Sequence, residues 1–252
     1  MCAKLRCVAW SRYVALGDSF TEGLDDPYPD GTYRGWADLV AEKLGVRYAN
    51  LAVRGRLFDA VATEQVPTAL AMEPDLVSFA AGGNDVLRRQ CDPPSLMKRY
   101  DGVIKGLRES GADVLVFRFA DVMSRLPANK MIAPRIRYLN QAVGETAERY
   151  GARLVNLWGD DEYANPALWS VDRLHMSQAG HRRTAAHMLA ALEVEADPTW
   201  WDVPVWPARK SWPAERASDV IWAGKHLAPW LKRRITGRSS GDGITAKRPT
   251  LG

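Results

Sequence analysis

Four short stretches of this sequence carry residues that could do chemistry together. In Asp172-Arg-Leu-His175 a carboxylate stands three residues before an imidazole, close enough in a turn or a first helical turn to hydrogen-bond locally. A carboxylate that accepts from the Nδ1–H fixes the tautomer and leaves Nε2 free as a base. Serine becomes a nucleophile when such a base takes its proton, and Gly17-Asp18-Ser19 offers one directly after the apolar run Tyr13–Leu16. Acyl transfer also needs donors aimed at the tetrahedral oxyanion, each worth roughly 3 kcal/mol in the transition state. The backbone N–H groups of Ser19 and Gly55 and the side-chain amide of Asn84 are the candidates. Gly55 lets the backbone come close without a Cβ, and Asn84 donates from its NH₂ group.

Each stretch also has a plainer reading. Ser19 could cap a helix, Asp172 could cap the helix that begins near His175, and Gly55 and Gly82-Gly-Asn-Asp85 could be ordinary turns. Their positions argue against four coincidences. Apolar runs at Tyr13–Leu16, Arg47–Leu51, Leu76–Ala80, Val114–Phe119 and Arg153–Leu157 are short and mostly continuous, as strands buried on both faces should be. Helical patterns alternate with them: 36–44 ending at Gly45, 57–71, 95–110 ending at Gly111, 134–150 ending at Gly151, and 178–192. This alternation predicts βαβ crossovers, a five-stranded parallel sheet and a three-layer α/β/α sandwich. Open sheets of this kind place their sites at the carboxyl ends of the strands, and the chemically usable stretches follow four of the five strands. Asp172 and His175 lack the further Cys, His or carboxylate groups of a metal site, so no metal is expected.

Taken in order, Gly17-Asp18-Ser19, Asn50-Leu-Ala-Val-Arg-Gly55, Gly82-Gly-Asn-Asp85 and Asp172-Arg-Leu-His175 resemble the four blocks of the SGNH (GDSL-type) hydrolase superfamily over residues 13–192. The resemblance implies a flavodoxin-like sandwich, ester hydrolysis and no cofactor. Carried over by position, Ser19 is the nucleophile, Asp172 and His175 complete the triad, and Ser19, Gly55 and Asn84 form the oxyanion hole. Phe20, where many members have Leu, and Met176, where Pro is frequent, are small departures that bear on pocket shape. The expected substrate is a small-molecule ester (a lipid, an acetylated sugar or a small aryl ester). An acyltransferase using the same triad is the alternative, and a non-catalytic binding protein of the same fold is a weaker one. Tyr28, Tyr33 and Trp36 could line a pocket, though packing is the preferred reading; for His181 and His187 it is packing or exposure.

The rest of the composition bounds these readings. Three cysteines, two of them in the first seven residues, form no disulfide framework. No signal-peptide stretch precedes the first strand and no run approaches a membrane span, so a cytoplasmic location is expected. The formal charge of +4 is carried by the C-terminal part, where residues 197–252 hold ten Lys/Arg against five Asp/Glu. Six of the ten tryptophans and six of the fifteen prolines also lie there. The domain reading is therefore a hydrolase domain at 1–196, a Trp/Pro-rich and helical extension at 197–235 that packs on it, and a basic disordered tail at 236–252. The extension is expected to run extended across the domain through residues 198–213, bury some of its indoles, and then form a helix over 214–227 that Pro229 breaks. The cluster Lys232, Arg233, Arg234 and Arg238 could touch an anionic membrane surface, but a solvated surface is the preferred reading. No nucleic-acid partner is expected, and the sequence does not set the oligomeric state.

Overall fold

The five apolar runs form five strands, β1 (Arg12–Gly17), β2 (Arg47–Asn50), β3 (Leu76–Ala80), β4 (Asp113–Arg118) and β5 (Arg153–Asn156). A computed structural model describes residues 10–121, 129–206, 211–229 and 239–252. The strands pair in the order β2-β1-β3-β4-β5, all parallel, which is the flavodoxin-like order.

Alternation along each strand builds two cores, because successive side chains point to opposite faces. Val14 and Leu16, Val77 and Phe79, and Val114 and Val116 face one side. Tyr13 and Ala15, Leu76 and Ala80, and Leu115 and Phe117 face the other. Ser78 is the polar exception on the second face, and its hydroxyl shares a 2.8 Å hydrogen bond with the buried Tyr13 hydroxyl.

Helices close both faces. The first core is covered by α3, a continuous helical run made of Phe58–Ala60, a π-helical turn Val61–Gln65 and Val66–Leu70, together with α5 (Pro93–Glu109) and α6 (Asn129–Tyr150). The second is covered by α2 (Gly35–Leu44) and α7 (Gln178–Ala191). Two short helices, α1 (Ser19–Glu22) and α4 (Gly83–Val86), begin directly after β1 and β3. The three-layer sandwich predicted from the alternation is the observed fold.

The C-terminal part is built differently from its composition. Pro198–Trp201 is one 3₁₀ turn. Trp200 packs against the second core, whereas Trp206 stays 57% exposed, so the expected burial of indoles holds only in part. Helix α8 (Trp212–Trp222) continues into a π-helical turn, Ala223–Leu227. The break expected after Pro229 and the basic cluster 232–238 lie outside the described residues.

Residues 239–252 correct the reading of a disordered tail. The Asn50 N–H donates to the Arg248 carbonyl at 2.9 Å, and the Tyr48 N–H donates to the Gly252 carbonyl at 3.2 Å, so the segment lines the outer edge of β2. Its anchor is the carboxylate of Asp38, almost fully buried on α2, which accepts from Lys247 Nζ at 2.5 Å and from Arg248 Nε at 3.1 Å. Lys247 also donates to the Tyr33 and Arg34 carbonyls. Charge counting made this segment look solvated. It is held because two of its cations neutralise a buried anion and its backbone satisfies a strand edge.

Candidate active site

The site lies at the carboxyl edge of the sheet, and its construction begins at Gly17. The last residue of β1 is extended to φ 154° against Thr21 and the Ala80 carbonyl, where a Cβ would lie within 2.6 Å of both. The Gln65 side chain, from the π-helical turn, clamps this residue by accepting from the Gly17 N–H at 2.8 Å and donating to its carbonyl at 2.9 Å. The chain then turns into α1, with the Asp18 carboxylate accepting from the Phe20 N–H as the cap. Ser19 is thereby the first residue of α1, where backbone N–H groups lack intrahelical partners.

The structure brings Ser19, His175 and Asp172 into one hydrogen-bonded line. His175 Nε2 is 2.9 Å from Ser19 Oγ, and His175 Nδ1 is 2.5 Å from Asp172 Oδ2. The other carboxylate oxygen of Asp172 accepts from the Leu174 and His175 N–H groups, both at 2.9 Å. Burial works to raise the Asp172 pKa, but the hydrogen bond and charge of His175 and these two backbone donors hold it well below the carboxylate range. For His175, burial would favour the neutral ring; the hydrogen bond and charge of Asp172, then Asp25 and Asp18, outweigh it and raise the pKa above the ordinary value.

The two remaining predicted donors are placed unequally. Asn84, in α4, lines the same cavity as Ser19 and His175. Its Nδ2 donates to Asp18 Oδ2 at 2.9 Å and to the Arg56 carbonyl at 3.0 Å, so both amide protons are engaged. Gly55 does not line that cavity. It sits in the left-handed region at φ 74°, under Ser239 and Ser240, where a Cβ would stand 2.4 Å from the Ser239 hydroxyl. Its loop is fixed by Glu22, which accepts from the Arg54 N–H at 2.7 Å and pairs with the Arg54 guanidinium. Asn50 adds a second tie, donating to the Thr21 carbonyl and accepting from the Ala52 N–H.

The cavity, about 850 Å³ with its open mouth included, is of the size of small-molecule sites. Its wall is mainly apolar: Phe20, Leu24, Leu87, Phe119, Ile136 and Leu139 stand out among the residues around Ser19. Phe20 and Met176, the two departures from the family pattern, both line it, while Trp36 lies in the second core. Tyr28 and Tyr33 also lie outside the wall, each under an arginine guanidinium.

The sequence reading gave three polar residues near the site no role there. Asp18 carries a buried carboxylate whose pKa burial pushes up to about 7, with Asp85 and Glu22 adding to the rise against the Phe20 N–H and His175. His181, expected to be packed or exposed, lines the cavity. Its Nδ1 accepts from the Trp36 N–H and its Nε2 donates to the Leu24 carbonyl at 2.9 Å, and burial lowers its pKa to about 4. The ring is thus a neutral strut between α2, α7 and the loop after α1. Asp25, in that loop, puts Oδ2 3.9 Å from His175 Nδ1. Asp25 and His181 had no signal in spacing or periodicity, since each depends on how the loop after α1 closes, whereas Asp18 stands in the Gly17-Asp18-Ser19 turn and its contact with Asn84 appears only in the fold.

The C-terminal extension reaches the site from behind. Trp222 Nε1 donates to the Asp172 carbonyl at 3.0 Å, and Arg173 pairs with Asp219 at 2.8 Å while its guanidinium lies over the Trp222 ring. Among the described residues no helix is long and apolar enough to cross a membrane.

The family model for the GDSL-like lipase/acylhydrolase family matches residues 15–183. No curated protein matches the chain in sequence. Among solved structures it is similar to LAE5, an alpha/beta hydrolase enzyme from the metagenome of Lake Arreo in Spain. That match has 24% identity and a TM-score of 0.64, covering 74% of this chain and 97% of that one. It is similar to TesA at 24% identity and a TM-score of 0.60, over 73% and 98% of the two chains. A catalytic mutant of Axe2, an acetylxylan esterase from Geobacillus stearothermophilus, matches at 18% identity and a TM-score of 0.61, over 77% and 97%. At these identities the likenesses speak for the fold.

Proposed function

Since the chain belongs to the GDSL-like lipase/acylhydrolase family and is a carboxylic ester hydrolase, we propose that it works through an acyl-enzyme on Ser19 and takes esters with an apolar acyl group. The observation that carries the mechanism is the continuous line from Ser19 Oγ through His175 to Asp172, with contacts of 2.9 and 2.5 Å. Ser19 Oγ attacks the acyl carbon as its proton passes to His175 Nε2. The imidazolium so formed is stabilised by Asp172, which accepts the Nδ1–H. The tetrahedral intermediate collapses, and the departing alkoxide takes the proton from Nε2. A water then repeats the sequence on the acyl-enzyme, giving its proton to Nε2, and Ser19 recovers that proton as the carboxylic acid leaves.

The oxyanion would be met by the Ser19 N–H at the start of α1 and by Asn84. One Asn84 amide proton must turn from the Asp18 carboxylate or the Arg56 carbonyl toward the substrate. The Gly55 N–H, on a loop outside the cavity wall, must shift toward Ser19 to act as the third donor of this proposal. The neutral His181 and the apolar wall exclude water around the acyl chain, which strengthens these contacts.

Labelling with a fluorophosphonate probe tests the mechanism. A stoichiometric adduct is expected on the peptide that holds Ser19, and its absence in folded protein would sink the acyl-enzyme. A panel of aryl esters graded by acyl length tests the substrate class. Each buried CH₂ contributes about 0.8 kcal/mol, so the four added from acetate to hexanoate should raise kcat/KM by roughly 200-fold at full burial. A panel that peaks at acetate would contradict the apolar acyl site. Adding simple alcohols to the same assay reads acyl transfer directly, since a transferase would yield the new ester in preference to the acid.

A further inference from the structure

We infer that Asp25 is a second carboxylate partner of His175, a positioning residue that acts beside Asp172 on the same edge of the ring. The inference rests on His175 being the base proposed above. Asp25 Oδ2 lies 3.9 Å from His175 Nδ1, and an oxygen of each carboxylate and a ring nitrogen of His175 all fall within 4.8 Å of one another. Two anions thus flank the nitrogen whose proton stays put while Nε2 gains one.

The position of Asp25 is built by its neighbours on both sides. The Leu24 carbonyl before it accepts from His181 Nε2. The Asp26 carboxylate after it is almost fully buried, accepts from Arg34 Nε and Nη2 at 3.0 and 3.1 Å, and takes the Gly35 N–H as well. Between these anchors Asp25 adopts a left-handed backbone at φ 67°, a conformation that Asp and Asn tolerate better than other side chains. An exposed acid would ordinarily be free to point into water. Here a fixed backbone delivers it to the imidazole, although its side chain is 40% exposed.

The charged and titratable groups around His175 set the sign of the effect. Asp172 holds Nδ1, Asp25 stands beside it, and Asp18 approaches from the turn before α1. His181, from α7, is neutral, and Arg173 is tied to Asp219 of α8. Asp172 and Asp25, with Asp18 where it is ionised, therefore favour the imidazolium. The base must be unprotonated, so the rate rises as pH climbs through the His175 pKa. Removing the anion of Asp25 makes the imidazolium less favourable and moves that acid limb to lower pH.

The test compares wild type with Asp25→Asn and Asp25→Gly, both compatible with the left-handed backbone. The pH profile of kcat/KM is measured in EDTA-containing buffer at low and high salt. The His175 ring is titrated by NMR, its signal assigned through His175→Gln. Both variants are expected to lower the acid limb and the ring pKa by about half a unit, with kcat down about threefold, the scale of a partly exposed ion pair. The gap from wild type should narrow in 1 M NaCl, as screening requires. Unshifted ring titration in both variants would overturn the inference, and so would a shift in Asp25→Gly alone, since both remove the charge. A shifted ring with an unmoved rate profile would uphold the Asp25–His175 coupling and instead refute His175 as the base.

Discussion

Replacing Ser19 with Ala is expected to lower kcat/KM for aryl esters by about 10⁴-fold or more while the fold persists, a loss of roughly 5 kcal/mol of transition-state stabilisation. The size follows from the role. Without Oγ there is no acyl-enzyme, and the intact His175–Asp172 pair can only assist direct attack by water from a worse position. Little stability depends on the hydroxyl, because Asp18 caps α1 by accepting from the Phe20 N–H. Near-UV circular dichroism and urea denaturation should therefore overlay those of the wild type. Residual activity within tenfold would mean that another group performs the displacement.

Asn84→Ala should cost about 10²- to 10³-fold in kcat with KM changed little, because an oxyanion donor is stronger in the transition state than in the bound ester. Here the side chain has a second duty. It donates to the Asp18 carboxylate and to the Arg56 carbonyl, so it links the loops after β1, β2 and β3. Its loss leaves the buried Asp18 oxygen with one donor fewer, at a cost of about 1–3 kcal/mol. A lower urea midpoint is expected alongside the lower kcat. Steady-state kinetics at a temperature where both proteins are fully folded separates the two effects. A kcat within threefold of wild type would remove Asn84 from the oxyanion hole.

The sequence was legible wherever one residue type could satisfy one requirement. The three central strands were readable because strands buried on both faces are near-continuous apolar runs, and the edge strands β2 and β5 because short apolar stretches recur between the helical patterns. Ser19, Asn84, Asp172 and His175 were readable because each follows a strand at the sheet edge that hosts chemistry. The Gly55 loop was readable as a turn, but not the fact that Ser239 and Ser240 would lie over it. The segment from Ser239 to Gly252 has the basic, Gly-containing composition of a solvated tail. Its order comes from Asp38, which composition cannot connect to it. The roles of Asp25 and His181 were not legible for a related reason: they arise from a left-handed backbone and a buried hydrogen-bond pair, which have no periodicity. The π-helical turn that lets Gln65 clamp Gly17 was read as ordinary helix, since one extra residue in a turn leaves the apolar pattern almost unchanged.

The clasp between Asp38 and Lys247 joins residues 209 positions apart. A ribosome working at about 5–20 residues per second needs roughly ten to forty seconds to cover that distance. During that interval the residues of β2 have been made and those that line its edge have not. Until then neither the strand edge nor the Asp38 carboxylate has the partners that hold it in the folded protein.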